Sequence, residues 1–182
     1  MTNTLSEQPI GAFLDALSSS APTPGGGSVS ALTGAMAAGL VGMVCALTIA
    51  KKGYDEVQEE ARNINEQANA LRAELLELAQ ADIEVFGRLS GAYRLPRTTE
   101  ADAATRRAAI QNVTRRAAEV PMAVARAAVA LLPLCAPAAT RFNRTVASDI
   151  GVAAQLVRAT VHSAILNVEV NLAVLEDQRY VR

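Results

Sequence analysis

The 182-residue sequence predicts an all-α domain, an up-and-down bundle of about five to six helices with a buried central helix. Three observations point there. Hydrophobic residues make up 51% of the chain but aromatics only 3%, so the core must be built from Ala, Leu, Val and Ile. That palette suits close helix packing better than sheets. Val29 to Ala50 is a run of 22 residues without a charge. Downstream, Val57, Ala61, Ile64, Ala68, Leu71, Leu75, Leu78, position 82, Val85 and Leu89 recur at alternating spacings of three and four. That is the seam of a helix packed in a bundle. No stretch reads as a strand, and the length suits one domain over residues 1–182.

In chain order, Ser6 is expected to cap a first helix ending near Ser18, with Ile10, Phe13, Leu14 and Leu17 on one face. Pro22-Thr-Pro-Gly-Gly-Gly27 then reads as a loop, and Ser28 as the cap of a second helix from Val29 to Lys51. A helix apolar all round is buried in lipid or in protein, and this one is long enough to span a bilayer. Its many Ala and Gly residues and the lack of an aromatic belt weigh against lipid. The regular seam that follows supplies a protein partner instead. Gly53-Tyr54-Asp55 breaks the run, and a long amphipathic helix reaches Ser90. Thr99 with Asp102 resembles a capping box that opens a fourth helix. Pro121 is expected to kink or interrupt that helix, and Pro133 and Pro137 to end it. Ser148 is placed as the cap of a last helix, Asp149 to Leu175.

With 17 basic and 18 acidic residues and no basic block, neither nucleic acid nor an anionic membrane is the expected partner. One histidine and two distant cysteines, Cys45 and Cys135, give no zinc-ligand cluster. The cysteines read as reduced, buried thiols of a cytoplasmic protein. The N-terminal residues lack the features of a signal peptide.

Asp82 is the sharpest chemical signal, a carboxylate on a packing seam. Burial would raise its pKa and suit it to proton transfer near neutral pH. The alternatives are a partner for a buried arginine, or a seam that opens to solvent at this level. On the last helix, Gln155, Arg158, His162, Glu169 and Glu176 share one face, the solvated one, so His162 reads as a surface residue, which speaks against a Ser-His-Asp or Cys-His nucleophile system. Asp149, Thr160, Ser163, Asn167 and Asn171 face the other way. They form either an inter-helix hydrogen-bond network or the wall of a wet cavity. Gly25, Gly26 and Gly27 could present backbone N–H groups to a ligand or simply make a tight turn. Without a Walker lysine they are not a nucleotide loop. Lys51 and Lys52 complement the end of the second helix, and could also meet a ligand carboxylate.

Several blocks together carry a resemblance. They are Phe13-Leu14, Pro22-Thr-Pro-Gly-Gly-Gly-Ser28, Thr48-Ile-Ala-Lys-Lys-Gly-Tyr54, Asp82-Ile-Glu-Val-Phe86, Tyr93-Arg-Leu-Pro-Arg97, Glu119-Val-Pro121, Ser148-Asp-Ile-Gly-Val152 and Asn167-Val-Glu-Val-Asn171. In this order they resemble the cyclodeaminase domain of the formimidoyltransferase-cyclodeaminase family, which also includes stand-alone cyclodeaminases and methenyltetrahydrofolate cyclohydrolases. The resemblance implies an all-α bundle that forms a homodimer and acts on folates without a metal or other cofactor. It implies Asp82 as the catalytic aspartate. Gly25, Gly26, Gly27, Ser28, Asn143, Asp149, Asn167 and Asn171 would bind substrate, with Lys51, Lys52 or Arg97 meeting the glutamate tail. Two positions depart from the family pattern: Thr145 stands where many members have a second Asn after Asn143, and Arg97 replaces a Lys.

The implied chemistry is cyclisation of 5-formimidoyltetrahydrofolate to 5,10-methenyltetrahydrofolate with loss of ammonia, hydrolysis of 5,10-methenyltetrahydrofolate to 10-formyltetrahydrofolate, or both. With no formimidoyltransferase segment in the sequence, a free-standing enzyme is expected. The competing expectation is a non-catalytic helical-bundle dimer that has kept only the fold.

Overall fold

The structure is a computed structural model that describes residues 4–49 and 51–181. Among the described residues the regular elements are all helical: α1 (Ile10–Leu17), α2 (Gly26–Ile49), α3 (Gln58–Tyr93), α4 (Glu100–Ala130), α5 (Leu132–Thr140), α6 (Ala147–Leu172) and α7 (Gln178–Val181), with three single 3₁₀ turns. Helices α2, α3, α4 and α6 form a ring of packed neighbours, α2 on α3 and α6, and α4 on the same two.

The pairings fix the directions. Along α2, Gly27, Gly34 and Gly42 lie against Asp82, Leu75 and Asn65 of α3, so the two helices run antiparallel. On its other side, Gly26 and Gly34 lie against Asn167 and Thr160 of α6, also antiparallel. The arrangement is an all-α up-and-down bundle, as expected. Close approach explains the small residues of α2. A Cβ at Gly34 would sit 3.1 Å from Thr160 and 3.2 Å from Leu75. The expected seam is buried at Val57, just before α3, and at Ala61, Ile64, Ala68, Leu75 and Val85, while Leu71, Leu78 and Leu89 are half-buried.

The helix α2 packs on α3, α6, α4 and α5, and the residues Ala31, Ala37, Ala38, Val41, Val44 and Cys45 are wholly enclosed. One strip of α2 remains open, where Met36, Met43 and Leu47 are exposed, and Met36 shares a recess with Ile10 and Leu14 of α1. Two stretches, Gly26–Ile49 and Glu100–Thr140, are long and apolar enough to cross a membrane by length and composition. Both are built into the bundle. The cysteines Cys45 and Cys135 are free and buried, and burial pushes the Cys45 thiol up to about 11.

Several ends differ from expectation. Ser6 lies in a 3₁₀ turn, and α1 starts after Pro9. The helix α2 starts at Gly26, so Ser28 lies inside its first turn rather than capping it. Gly53, at φ 90, makes the break after α2. The Thr99–Asp102 capping box is present, with Asp102 N–H donating to Thr99 Oγ1 and Thr99 N–H to Asp102 Oδ2. Helix α4 runs unbroken through Pro121, and Pro133 and Pro137 both lie within α5. A proline in the first turn of a helix costs no hydrogen bond, which is how Pro133 is tolerated. Ser148 lies inside the first turn of α6, whose N-cap position, Val146, makes no side-chain cap, and the capping residue here is Asn143, at the turn before it. Its side chain accepts from Thr145 N–H at the 3₁₀ turn leading into α6.

Candidate active site

The site forms where the start of α2 meets the last third of α3, the middle of α4 and the last turns of α6. Asp82 lies on the α3 seam, directed at Gly27 and Ser28. A Cβ on residue 27 would fall well inside contact distance of Asp82 Oδ1 and 2.8 Å from Oδ2, so no residue larger than glycine fits beside this carboxylate. The Ser28 hydroxyl, fully buried, donates to Asp82 Oδ2 at 2.9 Å. Desolvation raises the Asp82 pKa above its ordinary 3.8, and the hydrogen bonds from the Ser28 hydroxyl and backbone partly offset that rise. Seen from the sequence, a serine before an apolar run reads as a helix cap. Its partner, 54 residues away, becomes visible only when α2 and α3 pair.

A cavity of about 370 Å³ opens in front of this carboxyl. Gly25, Gly26 and Gly27 line it from the start of α2 and Asn167 and Asn171 from the adjoining α6, with Asn167 lying against Gly26. Val85, Phe86, Leu89, Val120, Val170 and Val174 supply its apolar surface. The volume is that of a small-molecule site. Asn167 Nδ2 donates to Ser163 O at 2.8 Å, and Asn171 Nδ2 donates to Asn167 O at 2.8 Å and to Ala117 O at 3.0 Å. With the amide nitrogens held by backbone carbonyls, the amide oxygens remain as acceptors. The arrangement offers a carboxyl of raised pKa, amide acceptors lining the same cavity, and apolar flanks for a flat ring.

Of the residues singled out in the sequence, Gly25, Gly26, Gly27, Ser28, Asp82, Asn167 and Asn171 therefore meet at one place. The others do not. Lys51 follows the far end of α2, whose last residue, Ile49, lies about 33 Å of helix from Gly27. There its Nζ donates to Asn143 Oδ1 at 2.8 Å. Asn143 is buried, donates to Leu47 O, and receives Thr145 N–H and Oγ1, while its own N–H donates to Thr48 Oγ1. This knot ties the α5–α6 connection to the end of α2. Lys52 is exposed beside it, and Asp149 lies in the first turn of α6, about 27 Å of helix before Asn167. Arg97 lies in a separate recess of about 320 Å³ with Arg106, Arg107, Gln111 and Glu176.

The apolar walls were not singled out from sequence. One signal was available: Val170 and Val174 share a helix face with Asn167 and Asn171, and Phe86 lies one turn beyond Asp82.

Comparison with known proteins bears on this arrangement. The formiminotransferase-cyclodeaminase family model matches residues 9–182. A methenyltetrahydrofolate cyclohydrolase of Methylorubrum extorquens is 43% identical over 171 residues, 94% of this chain and 82% of that one. The formimidoyltransferase-cyclodeaminase of Sus scrofa is 32% identical over 97% of this chain, which spans only 32% of that longer protein. The crystal structure of formiminotetrahydrofolate cyclodeaminase from Thermotoga maritima superposes with a TM-score of 0.84 at 34% identity, covering 96% of this chain and 83% of that one. On sequence and on fold alike, this chain belongs to the formiminotransferase-cyclodeaminase family.

Proposed function

We propose that the protein is a one-carbon tetrahydrofolate enzyme, and that its reaction is hydrolysis of 5,10-methenyltetrahydrofolate to 10-formyltetrahydrofolate. The observation that carries the chemistry is the half-buried carboxyl of Asp82, raised in pKa and facing a cavity with apolar flanks and amide acceptors. The 43% identity to a methenyltetrahydrofolate cyclohydrolase favours hydrolysis, while the likeness to a cyclodeaminase structure supports cyclisation of 5-formimidoyltetrahydrofolate as the second reading.

The substrate's bridging carbon is part of a cation shared with N5 and N10. The ionised Asp82 carboxylate stabilises that cation and accepts a proton as water attacks the carbon. A tetrahedral carbon results. Asp82 then returns the proton to N5 while the carbon–N5 bond breaks, and the remaining hydroxyl proton leaves to solvent as the formyl carbonyl forms. The step balances with water as the only co-reactant. In the cyclisation reading the same group takes the proton from N10 and gives it to departing ammonia. Asn167 and Asn171 accept hydrogen bonds from the pterin edge. The glutamate tail reaches past Val174 toward Arg97, Arg106 and Arg107, whose recess shares the 174–176 segment with the cavity through the Gln111 amide.

The test is Asp82→Asn on purified protein, following the absorbance of 5,10-methenyltetrahydrofolate. A loss of about 100-fold or more in kcat is expected. Full turnover by the folded variant would remove Asp82 from the mechanism. If the unaltered protein consumes no methenyl substrate but releases ammonia from the formimidoyl substrate, the second reading replaces the first.

The working unit is a homodimer in this proposal. The exposed apolar side chains Met36, Met43 and Leu47 of α2, with Met36 sharing a recess with Ile10 and Leu14, support it as the face covered by a second copy.

A further inference from the structure

Pro121 is buried in the middle of α4 and has no N–H. In an unbroken α-helix that N–H would donate to the carbonyl four residues back, which is Ala117 O. The proline ring also crowds this carbonyl. The Asn171 side chain donates to that same oxygen at 3.0 Å and to Asn167 O at 2.8 Å. Ala117 and Asn171 both line the cavity in front of Asp82. With two carbonyl oxygens as its neighbours, the nitrogen side of the amide must face them, because an amide oxygen turned that way would have no donor.

We infer that Pro121 is a positioning residue: by leaving Ala117 O without a helical donor, it anchors the Asn171 amide and makes Asn171 present only its oxygen to the ligand. The inference rests on the folate reading for the identity of the ligand. It assigns Asn171 an acceptor-only role, so the matching part of the substrate is an N–H edge, such as the amino and ring N–H groups of a reduced pterin. It also gives a chemical reason for a proline at a point where helix propensity alone disfavours one. The Asn171 anchor satisfies the carbonyl that the proline leaves bare.

The variant Pro121→Ala restores an N–H that competes for Ala117 O. The expected result is a melting temperature equal to or above that of the unaltered protein, with the KM for 5,10-methenyltetrahydrofolate raised roughly three- to tenfold, as for loss of one hydrogen bond. A purely structural proline would not give unimpaired stability with weaker binding. In the Asn171→Ala background, Pro121→Ala is expected to add nothing, since residues acting through one another are not additive. Equal, additive effects of the two substitutions would overturn the inference. So would an unchanged KM in Pro121→Ala.

Asn171→Asp leaves α4 intact and serves should Pro121→Ala fail to fold. It keeps the oxygens but cannot donate to Ala117 O, so it is expected to lose binding as fully as Asn171→Ala. Binding like the unaltered protein would sink the anchor. The anchor is also read without substrate, from the NMR signals of the Asn171 side-chain amide protons, which two carbonyl bonds should keep slow to exchange in the unaltered protein and fast in Pro121→Ala. Slow exchange with no turnover would discard the folate reading and keep the anchor. Turnover with freely exchanging protons would do the reverse.

Discussion

At the scale of single residues, the site turns on what surrounds one carboxyl. Asp82 is desolvated by its position on the α3 seam, and its raised pKa means that the folded chain holds a proton more tightly than the unfolded one. Stability therefore falls as pH rises from the ordinary carboxylate value through the raised one, and the full cost remains above it. Asp82→Asn should accordingly melt at a higher temperature than the unaltered protein at neutral pH, an advantage that disappears below about pH 4, when the group is protonated in both states. Ser28 acts in the opposite direction, since its hydrogen bonds favour the ionised form. Ser28→Ala should raise the Asp82 pKa further and move the acid limb of the kcat/KM profile to higher pH. An unmoved limb would show that the limb belongs to another group.

At the scale of elements, helix ends carried most of the differences from expectation. Ser28 and Ser148 read as caps because serine before an apolar run is the usual capping signature. In the structure the polar work at these ends falls to other groups: Ser28 bonds across to α3, and Asn143 caps the turn into α6. Asn143 also receives Lys51 and donates to Leu47 O, so its side chain joins two elements almost a hundred residues apart in the chain. Asn143→Ala should cost about 1–3 kcal/mol, because buried partners lose their hydrogen bonds. Urea unfolding measures it, and a change within error would reduce the knot to a surface contact. Pro121 is the other case. A helix passes through a proline when tertiary contacts hold both sides and the bared carbonyl finds a donor, and here that donor is Asn171.

For the whole molecule, the ring of α2, α3, α4 and α6 encloses the core but leaves an apolar strip of α2 uncovered. Met36 is 57% exposed and Ile10 79%, and the recess they share with Leu14 is apolar apart from Arg72 at its edge. Pairing through this strip predicts a dimer in detergent-free solution. Met36→Glu with Met43→Glu should shift the particle to monomer mass by light scattering, because two buried carboxylates per copy outweigh the apolar gain. A doubly substituted protein that stays dimeric would place the interface elsewhere.

The sequence by itself determined the helical class and the seam of α3, and it singled out position 82. Each is written in local periodicity, where a carboxylate among apolar seam positions stands out whatever lies opposite. It also showed that the Gly25–Gly27 loop and the Asn167–Asn171 face were unusual, without showing that they confront each other. Only the tertiary structure decided that. Antiparallel packing of α2 against both α3 and α6 brings residues 27, 82 and 167 to one end of the bundle. The same packing carries Lys51 and Asn143 to the other end. Residues far apart in the chain become neighbours through the direction and register of whole helices, and no short stretch of sequence encodes either.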